Sequence, residues 1–344
     1  MSNYSINIKA TIKDAFIALD EFNHGDQTLF VLDDEDRMVG TLTDGDIRRG
    51  LICGKQLNDS VESVMHKDFK YIMQSEFDMM ILKKYRDGDI FFIPMLDEDM
   101  HIVEIYNFLK YKSFLPIDAV MMAGGKGERL RPLTDKTPKP LLPLGDKAII
   151  DHNIDRLISY GVKNISVTVN YLKEQIEEHF AEPHNGVQVL TYQEPKFLGT
   201  IGSIKFVQNF KHDVVLLMNS DVFTNIDFED FFLHFQQHEA EMSVAAIPYI
   251  VKVPYGVFDL NGRNIQGLIE KPTYNYYANA GIYLIKRRAL EEIPENTFFN
   301  ATDLIDKLIV KGKKVIRYPL NGTWIDIGNP QEYAKANELV KHLI

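Results

Sequence analysis

Apolar and polar positions along this chain follow two different rhythms, with a break near Pro116. Before the break the pattern echoes itself. Leu32-Asp33-Asp34-Glu35 followed by Val39 returns as Leu96-Asp97-Glu98-Asp99 followed by Val103, at a constant spacing. Each copy reads as an apolar strand, an acidic turn and a second strand. Helical spacing runs from Ile12 to Phe22 and from Phe77 to Tyr85. Two copies of one small α/β unit, packed face to face, would bury what neither buries alone. Lys110 to Pro116 reads as a linker, which divides the chain into a region 1–112 and a region 117–344.

Beyond the linker, strands and helices alternate. Ala119 to Ala123 is a short apolar run that stops at Gly124-Gly125, as a buried parallel strand would. Ile149 to Tyr160 is helical, Ile165 to Val169 a strand, and Gln175 to Phe180 helical again. Val187 to Tyr192 and Val214 to Met218 are strands, and Asp227 to His238 is a helix with Asp227 as its N-cap. This order predicts a mostly parallel sheet covered on both faces. Val257 to Leu260 and Ile265 to Ile269 flank Asn261-Gly262, a hairpin signal. Thr302 to Val310 is a helix with Thr302 as cap, Val315 to Tyr318 a strand, and a last helix starts at Pro330.

Composition narrows the class. With 344 residues, 45% hydrophobic and 25% charged, the chain suits two globular domains. No run reaches the ~20 apolar residues of a membrane span. Met1 to Ala10 lacks the pattern of a signal peptide. The single cysteine, Cys53, has no intramolecular partner, so a cytoplasmic protein is expected. The net charge of −11 argues against nucleic acid as a partner. Against that background, Lys126, Arg129, Arg131, Lys136 and Lys139 crowd into one short segment. A local cationic site on an acidic protein suits a small polyanion.

That segment opens with Gly124-Gly125-Lys126-Gly127, directly after a buried strand. Glycines there leave backbone N–H groups free to cradle phosphate, and Arg129 offers a fork that fits it. The spacing is neither a Walker loop nor a dinucleotide fingerprint. Asp221 follows the strand ending at Met218, and Asp326 lies between apolar residues in Trp324-Ile325-Asp326-Ile327-Gly328. Two carboxylates with phosphate oxygens and water would meet the needs of Mg²⁺. A turn cap and a structural hydrogen bond are the plainer readings of the two residues.

The run from Gly124 to Pro140 resembles the signature of the sugar-1-phosphate nucleotidyltransferases, and the resemblance extends from Ile117 to about Leu339. It implies an α/β fold, a Rossmann-like sheet with a small β-rich lid. It implies Gly124, Gly125 and Gly127 on the triphosphate, Arg129 and Lys139 as catalytic cations, and Asp221 with Asp326 on Mg²⁺. Leu198-Gly199-Thr200 is similar to the family's base-recognition loop, with Glu194 upstream as an acceptor for a base edge. Glu270-Lys271-Pro272 is similar to its sugar-phosphate motif, with Lys271 catalytic and Glu270 on hydroxyls, and Asn279-Ala280-Gly281 to a sugar-binding turn. The implied reaction joins a nucleoside triphosphate to a sugar-1-phosphate and releases pyrophosphate.

Gly40 to Arg49 resembles the end of a CBS motif, so the echoing units look like a CBS pair. The resemblance implies an adenine nucleotide at Thr43, Asp46 and Arg48, and association into a homo-oligomer. The second copy departs, with Glu104, Ile105 and Asn107 where the first has Gly40, Thr41 and Thr43. Fusions of this kind resemble the guanylyltransferases of nonulosonic (legionaminic-type) acid pathways, which points to GTP and glucosamine-1-phosphate. UTP, CTP or dTTP with another hexose phosphate stays open. So does a non-catalytic nucleotide sensor. A scaffold for tRNA is opposed by the acidic charge.

Overall fold

A computed structural model describes residues 4–21 and 28–341. The chain divides into two compact units between Phe114 and Leu115. The aromatic ring of Phe114 packs edge-on against Tyr106, Phe108 and Tyr111, so most of the expected linker belongs to the first unit.

In the first unit the echo in sequence is an echo in topology. The first copy runs β1 (Ser5–Asn7), α1 (Ile12–Asp20), β2 (Thr28–Leu32), β3 (Met38–Thr43) and α2 (Asp44–Ile52). The second runs β4 (Ile72–Met73), α3 (Met79–Asp87), β5 (Phe92–Leu96) and β6 (Ile102–Asn107). In both, the first strand is parallel to the second and the second antiparallel to the third. Both carry a bulge at the same place, Val31/Leu32 and Met95/Leu96. The acidic turns close alike: Asp33 accepts from Arg37, and Asp97 from His101. Arg37 and His101 then bridge each other in antiparallel sense. Equivalent residues that pair this way lie on a local two-fold axis. Phe30, Met38 and Leu96 form the buried seam between the copies. Helix α1 ends at Asp20, and Phe22 lies outside the described residues. Helix α3 begins after Phe77, because Asp78 caps it by accepting the Met80 N–H.

The second unit runs β7 (Ile117–Ala123), β8 (Pro143–Leu144), β9 (Lys147–Ala148), α4 (Ile149–Ser159), β10 (Asn164–Val169), α5 (Lys173–His179), β11 (Val189–Gln193), β12 (Val214–Asn219), β13 (Val222–Thr224) and α6 (Phe228–Gln237). It continues with β14 (Met242–Lys252), β15 (Val257–Asn261), β16 (Asn264–Ile269), β17 (Thr273–Lys286), α7 (Ala301–Val310), β18 (Val315–Pro319), β19 (Trp324–Asp326) and α8 (Pro330–Lys341). The main sheet has the order β11-β10-β7-β12-β17-β14-β18. Only β17 is antiparallel to its neighbours. Residues of both parities on β12 are fully buried, so both sheet faces are covered. Leu304 and Leu308 of α7 close one face over Val120, Val215 and Leu217. Phe228, Phe231, Phe232 and Phe235 of α6 are fully buried, each contributing about 2–3 kcal/mol.

The cap of α7 is Asn300 and not Thr302. The Asn300 N–H donates to Asp303, while its side-chain oxygen accepts from the Thr200 N–H. That partner, a hundred residues upstream in sequence, leaves no local signal. Among the described residues, no helix is long and apolar enough to cross a membrane.

Candidate active site

Sheet register assembles the site. Ala123 of β7 lies opposite Val169 of β10, and Met122 opposite Asn219 of β12. All three strands therefore end at one level, and the loops that leave them meet at the carboxyl edge. From β7 comes the glycine loop, from β10 Asn170, and from β12 Ser220 and Asp221. They line a cavity of about 580 Å³, with Arg129, Lys139, Phe197 and Gly328 completing its wall.

Close contacts account for two of the three glycines of the loop. A Cβ at Gly124 would collide with the Glu194 carboxylate, and one at Gly127 would press on Lys139 and Thr134 at 3.0 Å. Gly127 also sits at φ 63°, in the left-handed region. At Gly125 a Cβ would meet nothing, so that part of the loop faces open space.

The two aspartates arrive from opposite ends of the unit. Val222 of β13 pairs with Asp326 of β19, and the Ile327 N–H donates to the Asp221 carbonyl at 3.1 Å. This small antiparallel pair brings the two residues together, near enough for the Asp221 charge to act on the Asp326 carboxyl. Burial and the Asp221 charge push the Asp326 carboxyl above the usual carboxylate range, with Lys139 and Arg129 offsetting part of the effect. Lys139 is itself buried and is ion-paired with Asp221. The Arg129 guanidinium lies against Gly328, two residues past Asp326. Two neighbouring carboxylates with interleaved cations are a donor set that fits a divalent ion held jointly with phosphate oxygens.

Glu194 is buried. Burial pushes its carboxyl up, opposed by hydrogen bonds from the Leu198 N–H and Asn170. It backs the glycine loop and ties it to the loop at Leu198. In that second loop Gly199 has φ 79°, and a Cβ there would meet the Phe299 carbonyl at 2.7 Å. The glycine thus admits the protein's own backbone. Phe299 completes the tie by donating to the Leu198 carbonyl and accepting from Ile201 and Gly202.

The expected sugar-side residues lie elsewhere. Glu270, Lys271, Asn279 and Gly281 do not line the cavity. Gly281 is anchored close by, because Met218 pairs with Ile282 and a Cβ at Gly281 would strike Asn219. The Trp324 indole donates to the Ala280 carbonyl at 2.9 Å, tying this turn to β19. Asn279 accepts from the Gly281 N–H and donates to the Tyr283 hydroxyl. Glu270 and Lys271 are exposed at the end of β16. Lys271 has φ 46° directly before Pro272, a backbone cost of about 1–3 kcal/mol.

Three cavity residues, Asn170, Phe197 and Ser220, belong to no pattern that the sequence displays. Ser220 donates to the Met122 carbonyl and pins Asp221 to β7. Position alone marks Asn170, since it is the first residue past a parallel strand beside the glycine loop.

In the first unit, Thr43 and Asp46 cap α2. The Asp46 carboxylate accepts from the Thr43 N–H at 2.9 Å and from its hydroxyl at 2.6 Å, and its other oxygen accepts from Arg49 at 2.7 Å. Arg48 is ion-paired with Asp44. Thr11 and Asp14 make the same box at the start of α1. The Gly40 backbone is covered by Met65 and His66, with Thr41 bridged to His66.

Residues 118–342 match the model of the Nucleotidyl transferase family, and the chain belongs to that family. Over 233 residues it is 33% identical to the bifunctional protein GlmU of Methanocaldococcus jannaschii, covering 64% of this chain and 54% of that one. Over 224 residues it is 27% identical to the mannose-1-phosphate guanylyltransferase catalytic subunit beta of Xenopus tropicalis, covering 62% of each. The chain thus spans little more than half the length of such relatives. The solved structure of HddC from Yersinia pseudotuberculosis superposes with a TM-score of 0.52 at 23% identity, over 65% of this chain and 99% of that one.

Proposed function

We propose that the chain catalyses Mg²⁺-dependent transfer of a nucleotidyl group from a nucleoside triphosphate to a sugar-1-phosphate, releasing pyrophosphate. One observation carries this reading: Asp221 lines the cavity together with the glycine loop, Arg129 and Lys139, and Asp326, itself outside the lining, is close enough for the Asp221 charge to act on its carboxyl. Bound Mg²⁺ would supply charge neutralisation for the phosphates, with Asp221 and Asp326 as its protein ligands. Gly124, Gly125 and Gly127 present the backbone to the triphosphate. Arg129 and Lys139 lower the repulsion between the incoming phosphate and the α-phosphorus. Lys271 and Glu270 receive the sugar phosphate, with Asn279 and Gly281 as the sugar-binding turn. The attacking oxygen is already anionic, so no general base is needed.

For the substrates, GTP and glucosamine-1-phosphate are the first choice. The relatives include guanylyltransferases and GlmU proteins, whereas Glu194, expected to accept from a base edge, is buried behind the glycine loop and bonded to the Leu198 N–H, where it supports that loop. A matrix of four nucleoside triphosphates against several sugar-1-phosphates, read by pyrophosphate release, tests both levels. Release with GTP and glucosamine-1-phosphate supports the full assignment. Release with another pair corrects the substrates, and no release with any pair refutes the transferase.

For the first unit we read a CBS pair at residues 1–112, kept for structure and association, over the alternative of an adenine-nucleotide site at Thr43, Asp46 and Arg48. The observation that favours this is the spent carboxylate of Asp46, whose two oxygens are taken by Thr43 and Arg49. Calorimetry of the full chain with AMP, ATP and S-adenosylmethionine should show no binding dependent on Asp46. A titration abolished by Asp46→Asn would restore the regulatory reading.

A further inference from the structure

The segment that leaves β11 is tied down at two points. Glu194 is 3% exposed and Leu198 0%, and the Leu198 N–H donates to the Glu194 carboxylate at 3.1 Å. The Leu198 carbonyl accepts from the Phe299 N–H at 2.9 Å. Between these anchors stands Phe197, 54% exposed and on the cavity wall. Its ring meets that of Phe298, 55% exposed, with centroids 5.9 Å apart and planes at 63°. An edge-to-face pair uses at most one face of the Phe197 ring. Backbone fixed on both sides holds the ring out, so a large apolar surface stays open beside the glycine loop and its cations. A lone exposed apolar side chain is ordinary on a protein surface. This one lines a pocket, and among the described residues that line it no other is aromatic.

We infer that the Phe197 ring is the stacking surface for the nucleobase of the triphosphate, a role that rests on the nucleotidyl-transfer reading above. Sheet order and chemistry select the base. Strands β10 and β11 lie on one side of β7, and β12 and β17 on the other. Asp221 follows β12, and Asn279 and Gly281 lie on β17. Glu194 and Phe197 follow β11, and the Glu194 carboxylate reaches Gly124 from that side. Phosphates held by the glycine loop and by a metal at Asp221 therefore leave the nucleoside end to the β10–β11 side. The cavity's cations and backbone N–H groups suit phosphate oxygens. Of the two substrates, the nucleobase alone has a planar π face to set against an aromatic ring. Stacking reads the face of a base and not its edge, so it tolerates every base and strengthens with ring area. It favours the two-ring purines over the pyrimidines and does not choose between guanine and adenine.

Calorimetry of the full chain with Mg²⁺ tests this. The ligands are GTP, ATP, UTP and CTP, with inorganic tripolyphosphate as the ligand that has no base. Phe197→Ala should weaken nucleoside triphosphate binding about ten- to a hundredfold, most for the purines, and leave tripolyphosphate within about twofold. Phe197→Trp should retain wild-type affinity. Should the alanine variant not fold, Phe197→Leu keeps the apolar bulk and should lose affinity in the same direction. Unchanged nucleotide affinity in a folded variant overturns the inference. So does an equal loss for tripolyphosphate, which would make Phe197 a prop of the glycine loop. A rise confined to the KM of the sugar-1-phosphate also overturns it, by setting the ring under the sugar. A wild type that binds tripolyphosphate but no nucleoside triphosphate refutes the transferase reading itself, and stacking falls with it.

Discussion

The two sides of the proposed reaction centre are held by different means. Asp221 and Asp326 are set by backbone: a parallel sheet edge, the β13–β19 pair, and hydrogen bonds from Ser220 and Ile327. Glu270 and Lys271 stand at the foot of an exposed hairpin, outside the cavity that the glycine loop encloses. The difference teaches that the residues proposed for nucleotide and metal are pre-organised, while those proposed for the sugar phosphate sit on a ribbon with little packing of its own. Pre-organisation matters most where charge develops in the transition state. Position matters less where a second substrate brings its own contacts.

Four variants would break or sharpen this contrast. The largest effect is expected from Asp221→Asn. Pyrophosphate release should fall at least about a thousandfold, with the melting temperature nearly unchanged; near-normal turnover would sink the metal assignment. Next comes Lys271→Ala, which should raise the KM for the sugar phosphate by about ten- to a hundredfold. The KM for the triphosphate should stay within about twofold. Equal changes in both would mean that the sugar side is not separate. Third is Gly124→Ala, whose methyl group would displace the Glu194 carboxylate from behind the loop. We expect about a tenfold loss of triphosphate affinity by calorimetry, and unaltered affinity would deny the loop its closeness of fit.

The smallest effect is electrostatic. The Asp326 carboxyl has its folded-state pKa raised, so its ionisation opposes folding at neutral pH, and the penalty is relieved as pH falls through that raised value. Asp326→Asn should therefore melt at a higher temperature than the wild type near pH 7, with the gap closing in acid. A lower melting temperature at pH 7 would show that Arg129 and Lys139 already overcompensate. The same variant should lose turnover, so stability and activity move in opposite directions at one residue.

Much of this is legible in the sequence. The glycine loop, both aspartates, the Asp227 cap and the Asn261-Gly262 hairpin all stand in local patterns, and the structure contains the corresponding elements. What fails is what depends on remote partners. Thr302 looks like a cap because nothing nearby shows that Asn300 is locked by Thr200. Thr43 and Asp46 are a different case: they cap α2, and a helix cap and a ribose site use the same pair of side chains, so the local pattern serves either role. Glu194 gives no sign of burial, since the space it fills is created by Gly124 on another strand.

The sequence by itself determined which segments become strands and helices, where three glycines free the backbone, and which charged residues were available for phosphate. Periodicity and turn chemistry are local, so they can be read from neighbours along the chain. Only the tertiary structure decided that Asp221 and Asp326 share one small antiparallel pair, that Lys139 rests on Asp221, and that Phe197 meets Phe298 at the cavity wall. Those are matters of register and burial between segments far apart in sequence. Their energies come from contacts that exist once the sheet has closed.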